Sequence, residues 1–173
     1  MDAADPTHMT ARNAWTILDL LVQCDVPAWV AGGWGVDALV GRESRTHDDL
    51  DVLIPEAAPD RARRRLVAAG FAVTLDELPT RFEMALTTFG VVDLHPIQID
   101  AGGSRLALPD GGWWTYSRGA LDAEGKIGTR RCCCLSAYEQ LRLHHGYEPR
   151  DIDRADIALL RVLQALATGS APS

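Results

Sequence analysis

Residues Gly32 to Val52, reading GGWGVDALVGRESRTHDDLDV, constrain this chain more than any other stretch. A glycine pair opens the segment, and Asp49 and Asp51 close it with one residue between them. Glycine permits close backbone approach to a bulky anion. A carboxylate pair can hold a divalent cation against the same anion. Phosphoryl and nucleotidyl transfer need both features together.

Spacing places these residues on elements. Thr10 to Gln23 has the stripe of an amphipathic helix, with Ala14, Leu18, Leu21 and Val22 on one side. Ala28 to Ala31 is a short apolar strand, the glycines form a turn, and Gly35 to Val40 is a short helix stopped by Gly41. Leu50 to Ile54 is the next strand, and Pro59 to Ala69 is a helix capped by Gly70. Phe71 to Leu75, Arg81 to Thr87 and Val91 to Ile97 read as strands, with a turn at Phe89-Gly90. Residues 98–125 carry no clear period. Lys126 to Leu135 reads as one strand, Ser136 to Glu139 has the capping-box pattern, and a helix runs from about Asp151 to Ala167. The predicted class is α+β, with a mixed sheet flanked by helices.

Strand geometry sharpens the acid pattern. Residues two apart in a strand share a face, roughly 6–7 Å apart. Asp49 and Asp51 then face one way, Leu50 and Val52 face the core, and Asp48 points away from the pair. Two such carboxylates repel, and a cation between them removes the repulsion. The DxD pattern alone also fits a polar loop end. Asp93, in VVDLHPI, is a third acid among apolar neighbours, where burial is costly unless the group is paired or functional. It can join a metal site or accept a proton. His95 shares its face and reads as a hydrogen-bonded, half-buried imidazole. Arg45 fits either a bidentate phosphate clamp or an ordinary loop charge, and His47 either a phosphate donor or a loop cap. The glycines match neither a GxxxxGK[ST] loop nor GxGxxG.

Composition narrows the classes. The 173 residues, 47% hydrophobic and 24% charged, suit one soluble domain with a proper core. No apolar run has membrane length, and the first residues lack a signal-peptide pattern, so the cytoplasm is the expected compartment. A net charge of −7 disfavours nucleic acid as a partner and is compatible with a cationic small substrate. Arg61, Arg63, Arg64 and Arg65 read as a solvated helix face. Cys132, Cys133 and Cys134 alternate sides in a strand and cannot converge on one zinc, so the four cysteines read as reduced, mostly buried thiols.

The assembled residues resemble the nucleotidyltransferase superfamily typified by DNA polymerase beta: Gly32-Gly33, then Asp49 and Asp51, then Asp93. More narrowly, Gly32-Gly33-Trp34, Gly41-Arg42, Arg45, His47 and His145-Gly146-Tyr147-Glu148 are similar to lincosamide nucleotidyltransferases and aminoglycoside 2″-adenylyltransferases. Trp34 replaces the superfamily's usual serine, which leaves phosphate contact to backbone N–H groups. The resemblance implies a polymerase-beta-like core over 10–135, a helical extension of the same compact unit over 136–168, and a disordered tail over 169–173. It implies Mg²⁺ on Asp49, Asp51 and Asp93, and ATP or another nucleoside triphosphate over Gly32, Gly33, Arg45 and His47. It also implies an antibiotic hydroxyl as acceptor, lincosamide ahead of aminoglycoside. A protein, tRNA or metabolite hydroxyl is the alternative, and a non-enzymatic nucleotide-binding module would not need Asp93. Glu83, Tyr116, His145 and Tyr147 are the substrate-side candidates, and small size suggests a homodimer that closes the pocket.

Overall fold

A computed structural model describes residues 8–145 and 147–169. Five helices and nine strands lie among them. The first helix, α1 (Ala11–Val22), is capped by Thr10, whose hydroxyl accepts from the Asn13 N–H at 3.2 Å. It buries Ala14, Ile17, Leu18 and Leu21. Then come β1 (Trp29–Val30), α2 (Gly32–Val40), β2 (Asp49–Pro55) and α3 (Pro59–Ala68). Four strands follow: β3 (Ala72–Glu77), β4 (Arg81–Leu86), β5 (Gly90–Asp100) and β6 (Gly103–Ala107). The chain ends with β7 (Trp113–Thr115), β8 (Ala123–Ile127), β9 (Arg130–Cys134), α4 (Ala137–Leu143) and α5 (Asp151–Thr168).

The strands form one mixed sheet in the order β3-β4-β5-β2-β1-β9-β8, with β6 and β7 appended to β5. The β2–β5 and β1–β9 pairs are parallel, and the other pairs are antiparallel. Alternation along the central strands divides the interior in two. Leu50, Val52 and Ile54 of β2, with Val92 and Leu94 of β5, pack under α1 and α3 in the larger core. Each such side chain contributes about 1.5–3 kcal/mol on burial. On the opposite face Leu53 and Ile97 join Ala31, Tyr116, Ala120 and Leu135 in a smaller core. That second face is apolar at one end and acidic at the other, because Asp49, Asp51, Asp93 and His95 occupy the same alternation.

Three expectations about the helices and strands are corrected, and one unassigned region resolves into strands. Helix α2 begins at Gly32 rather than Gly35, so both glycines lie in its first turn and not in a loop before it. Gly32 has φ +56°, which lets the chain turn straight from β1 into the helix. Lys126 to Leu135 is not one strand. The pairing of Ile127 with Arg130 leaves a two-residue turn at Gly128-Thr129, with Gly128 at φ +61°. The region 98–125 holds the end of β5 and the short strands β6, β7 and part of β8, too brief to show a period. Arg63 leaves the solvated face: it pairs with Asp76 at 2.9 Å and lies over the Phe82 ring.

All four cysteines are free, but the expectation of mostly buried thiols is corrected: only Cys134 is buried, Cys24 and Cys132 are half-buried, and Cys133 is exposed because it faces away from Cys132 and Cys134 in β9. Among the described residues no helix is long and apolar enough to cross a membrane. The expected tail beyond Gly169, and Gly146, lie outside the described residues.

Candidate active site

The parallel pairing of β2 with β5 sets Asp51 directly beside Asp93. His95, two residues further on, reaches both: its Nε2 lies 3.5 Å from Asp51 Oδ1 and 3.4 Å from Asp93 Oδ2. Donor atoms of these three residues fall within 4.8 Å of one another. Asp49 opens β2 on the same face, exposed to the cleft. Sequence reasoning placed His95 on this face but left it out of the site. The signal was available, since i and i+2 in a strand share a face.

Electrostatics separates the acids. Desolvation, followed by the negative charges of Asp51 and Asp93, pushes Asp49 up to about 6. Burial would raise Asp93 too, but the hydrogen bonds and charges of His95 and Arg81 outweigh it and hold Asp93 below the usual carboxylate range. Arg81 Nη1 donates to Asp93 Oδ2 at 2.8 Å. Asp93 Oδ1 is buried and has no hydrogen-bond partner. For His95, burial alone would lower the value. Asp51 and Asp93 override it and push the imidazole up to about 9.

The first turn of α2 faces this cluster. No side chain caps the helix, and the leading N–H groups of a helix have no partner within it. Glycine is required twice by close approach. A Cβ on Gly32 would lie 2.0 Å from Asp51 Oδ2, and one on Gly33 would lie 2.3 Å from Arg45 Nη2 and 2.6 Å from His47 Nδ1. Arg45 thus sits beside the turn, held by Asp156 of α5 through Nε (3.3 Å) and Nη2 (2.9 Å). His47 is buried, its Nε2 2.7 Å from Asp37 Oδ2 and its ring against Trp34. Asp37 also accepts from the backbone and hydroxyl of Ser44, which ties the loop after α2 to the helix. Asp48 turns away to His8, at 2.9 Å.

A cleft of about 340 Å³ runs between these groups and the C-terminal helices. Gly32, Gly33, Arg45, Asp49 and Asp51 line one side. Leu143, His144, Tyr147, Asp153 and Asp156 line the other. Tyr147 is thus at the cleft, its hydroxyl 2.6 Å from His144 Nδ1. Glu83 pairs across strands with Asp93 and takes a hydrogen bond from Arg81 at 3.1 Å. His145 lines a neighbouring pocket between α4 and α5. Tyr116 is buried in the smaller core and is not part of the cleft wall. Asp156 and Arg81 escaped the sequence reading because their partners Arg45 and Asp93 lie on other elements, and Asp153 escaped it as a local cap that accepts from Arg150 at the start of α5.

The acids fit a hard divalent cation. Three carboxylates crowd one face, Asp49 is destabilised as an anion by its neighbours, and Asp93 keeps one buried oxygen without a partner. Asp49 lies outside the trio whose donor atoms already converge.

The family model for aminoglycoside-2″-adenylyltransferases matches residues 14–160. The chain belongs to this family. It is a nucleotidyltransferase, with the α+β fold of that class. Over 155 residues it is 31% identical to a lincosamide resistance protein of Staphylococcus haemolyticus, covering 89% of this chain and 96% of that protein. A 51-residue stretch, 30% of the chain, is 48% identical to 28% of a 2″-aminoglycoside nucleotidyltransferase of Escherichia coli. Among solved structures, the lincomycin-bound lincosamide adenylyltransferase LnuA superposes with a TM-score of 0.82 at 30% identity, covering 90% of this chain and 99% of that one. ANT(2″)-Ia with adenylyl-2″-tobramycin superposes at 0.71 and 22% identity over 91% and 88% of the two chains, a likeness of fold.

Proposed function

We propose that this nucleotidyltransferase moves AMP from ATP to a hydroxyl of a lincosamide antibiotic, with Mg²⁺, in the cytoplasm. The observation that carries the reading is the acid face of β2 and β5, where Asp51 and Asp93 are register partners and Asp93 retains an unpartnered buried oxygen. Asp49, Asp51 and Asp93 would hold the cation. When bound, the cation would neutralise charge on the phosphates and acidify the attacking hydroxyl. Asp93 suits a ligand better than a base, because Arg81 and His95 hold it ionised below the usual range.

The chain's own groups do the remainder. Backbone N–H groups at Gly32 and Gly33 receive the phosphates, in place of a serine hydroxyl. Arg45 adds a positive charge beside them, and His47 braces the turn from Asp37. His144 and Tyr147 form the acceptor side of the cleft, and Glu83 fixes Arg81. A phosphorus–oxygen bond forms to the acceptor as the bond from the α-phosphorus to pyrophosphate breaks, and the acceptor hydroxyl's proton leaves to solvent water. Catalysis is then positioning and charge neutralisation.

Lincosamide is favoured by the near-complete coverage of a relative named for lincosamide resistance and by the LnuA likeness. An aminoglycoside acceptor is the second reading, favoured by the family model and the 48%-identical segment. Competition of lincomycin against kanamycin as acceptor for wild-type protein tests the choice. Adenylylation of lincomycin alone is the expected result, and adenylylation of kanamycin alone would transfer the reading to aminoglycosides.

A further inference from the structure

Arg45 and Asp156 are separated by most of the chain yet meet at the cleft as a fork, with Nε at 3.3 Å and Nη2 at 2.9 Å. Arg45 Nη1 also donates to the Thr46 carbonyl at 3.1 Å. These bonds fix the guanidinium along two edges. Long side chains in solvent ordinarily sample many rotamers, and ordering them costs free energy at the moment of binding. Here the cost is met before any ligand arrives.

The fixed position is directional. A Cβ on Gly33 would come within 2.3 Å of Arg45 Nη2, so the guanidinium overlies the first turn of α2, where the helix presents its unpaired N–H groups. Beyond its three protein contacts the guanidinium retains N–H groups on Nη1 and Nη2 for an anion. Asp156 is almost fully buried at 4% exposure, a costly place for a lone carboxylate. The pair therefore supports both the charge on α5 and the pose of Arg45.

We propose that Asp156 is a positioning residue that holds Arg45 over the α2 turn in the pose that grips the nucleotide triphosphate. This rests on the reading of Gly32, Gly33 and Arg45 as the nucleotide cradle. Helix α5 then belongs to the nucleotide site through a side chain that need not touch the nucleotide. Arg45 cannot be replaced by lysine here, because a point charge lacks the second edge that Asp156 holds.

The test is a double-mutant cycle on MgATP affinity, measured by calorimetry without acceptor, over wild type, Asp156→Asn, Arg45→Ala and the double variant. Asp156→Asn is expected to weaken binding about tenfold. Arg45→Ala should weaken it at least as much, and the double variant no further than Arg45→Ala alone. Melting curves identify any variant that fails to fold, and Asp156→Glu, which keeps the charge, should recover part of the affinity. Unchanged or tighter binding by folded Asp156→Asn would overturn the inference, as would losses that add in the double variant. Transfer to antibiotic by wild type without coupling in the cycle would remove this inference alone. Coupling without transfer would remove the antibiotic reading alone, and no MgATP binding by wild type would remove both.

Discussion

Gly32 and Gly33 look alike in sequence but fail differently when given a side chain. The Cβ of Gly32→Ala would strike Asp51 Oδ2 at a positive φ, so the acid must move. Displacing a reacting group by about 1 Å costs on the order of 100-fold in rate. Gly33→Ala meets Arg45 and His47, which Asp156 and Asp37 hold in place, so it disturbs the triphosphate cradle while leaving the acids where they are. Its expected effect is a higher KM for ATP at nearly unchanged kcat, and steady-state kinetics of both variants checks the contrast. Asp93→Asn is expected to lower transfer about 100-fold or more while the protein stays folded and still binds ATP. Turnover within a few-fold of wild type would remove Asp93 from the mechanism. That Asp49 and Asp51 share a face was legible in the sequence because strand alternation is short-range, whereas Asp93 stood out only as an acid among apolar neighbours and joins Asp51 through the pairing of β2 with β5. Asp156 was not legible, because its partner Arg45 is reached only through the closure of α5 onto α2, which no local pattern encodes.

At the scale of elements, Glu139 shows how a motif can be half right. Ser136 caps α4 as its sequence suggests, accepting from the Glu139 N–H at 3.3 Å. The Glu139 carboxylate does not return to Ser136. It is fully buried and accepts from Trp114 Nε1 (2.9 Å), the Ser117 N–H (2.8 Å) and Arg142 (2.9 Å). It thereby ties α4 to β7, a strand the sequence did not reveal because three residues carry no period. Glu139→Ala should cost about 2–3 kcal/mol by urea denaturation. Burial alone would raise the Glu139 pKa, but hydrogen bonds from Ser117, Trp114 and Arg142 leave it below its ordinary 4.5. A depressed folded value means the stabilisation is present above the unfolded value and is lost as pH falls through the folded one. The gap between wild type and Glu139→Gln should therefore be constant at neutral pH and close under acid. A gap that widens under acid would refute the assignment.

The whole molecule joins two sets of groups across one cleft. Asp49, Asp51 and the turn of α2 come from the first third of the chain, and Tyr147, Asp153 and Asp156 from the last. Arg45–Asp156 and the packing of α5 on α2 and α4 give the C-terminal helices no separate core. One cooperative unfolding transition is expected, coincident by circular dichroism and tryptophan fluorescence, and two resolved transitions would contradict a single unit. The α+β class was readable from hydrophobic alternation, whereas the strand order of the sheet and the placement of β6 through β9 depend on tertiary pairing. The central claim is chemical, and mass spectrometry of acceptors tests it most directly. Lincomycin, clindamycin, kanamycin and tobramycin are incubated with the protein, Mg²⁺ and the four nucleoside triphosphates. The expected result is an AMP adduct on a lincosamide that disappears with chelator and with Asp93→Asn; the absence of any adduct from folded wild-type protein would contradict the account.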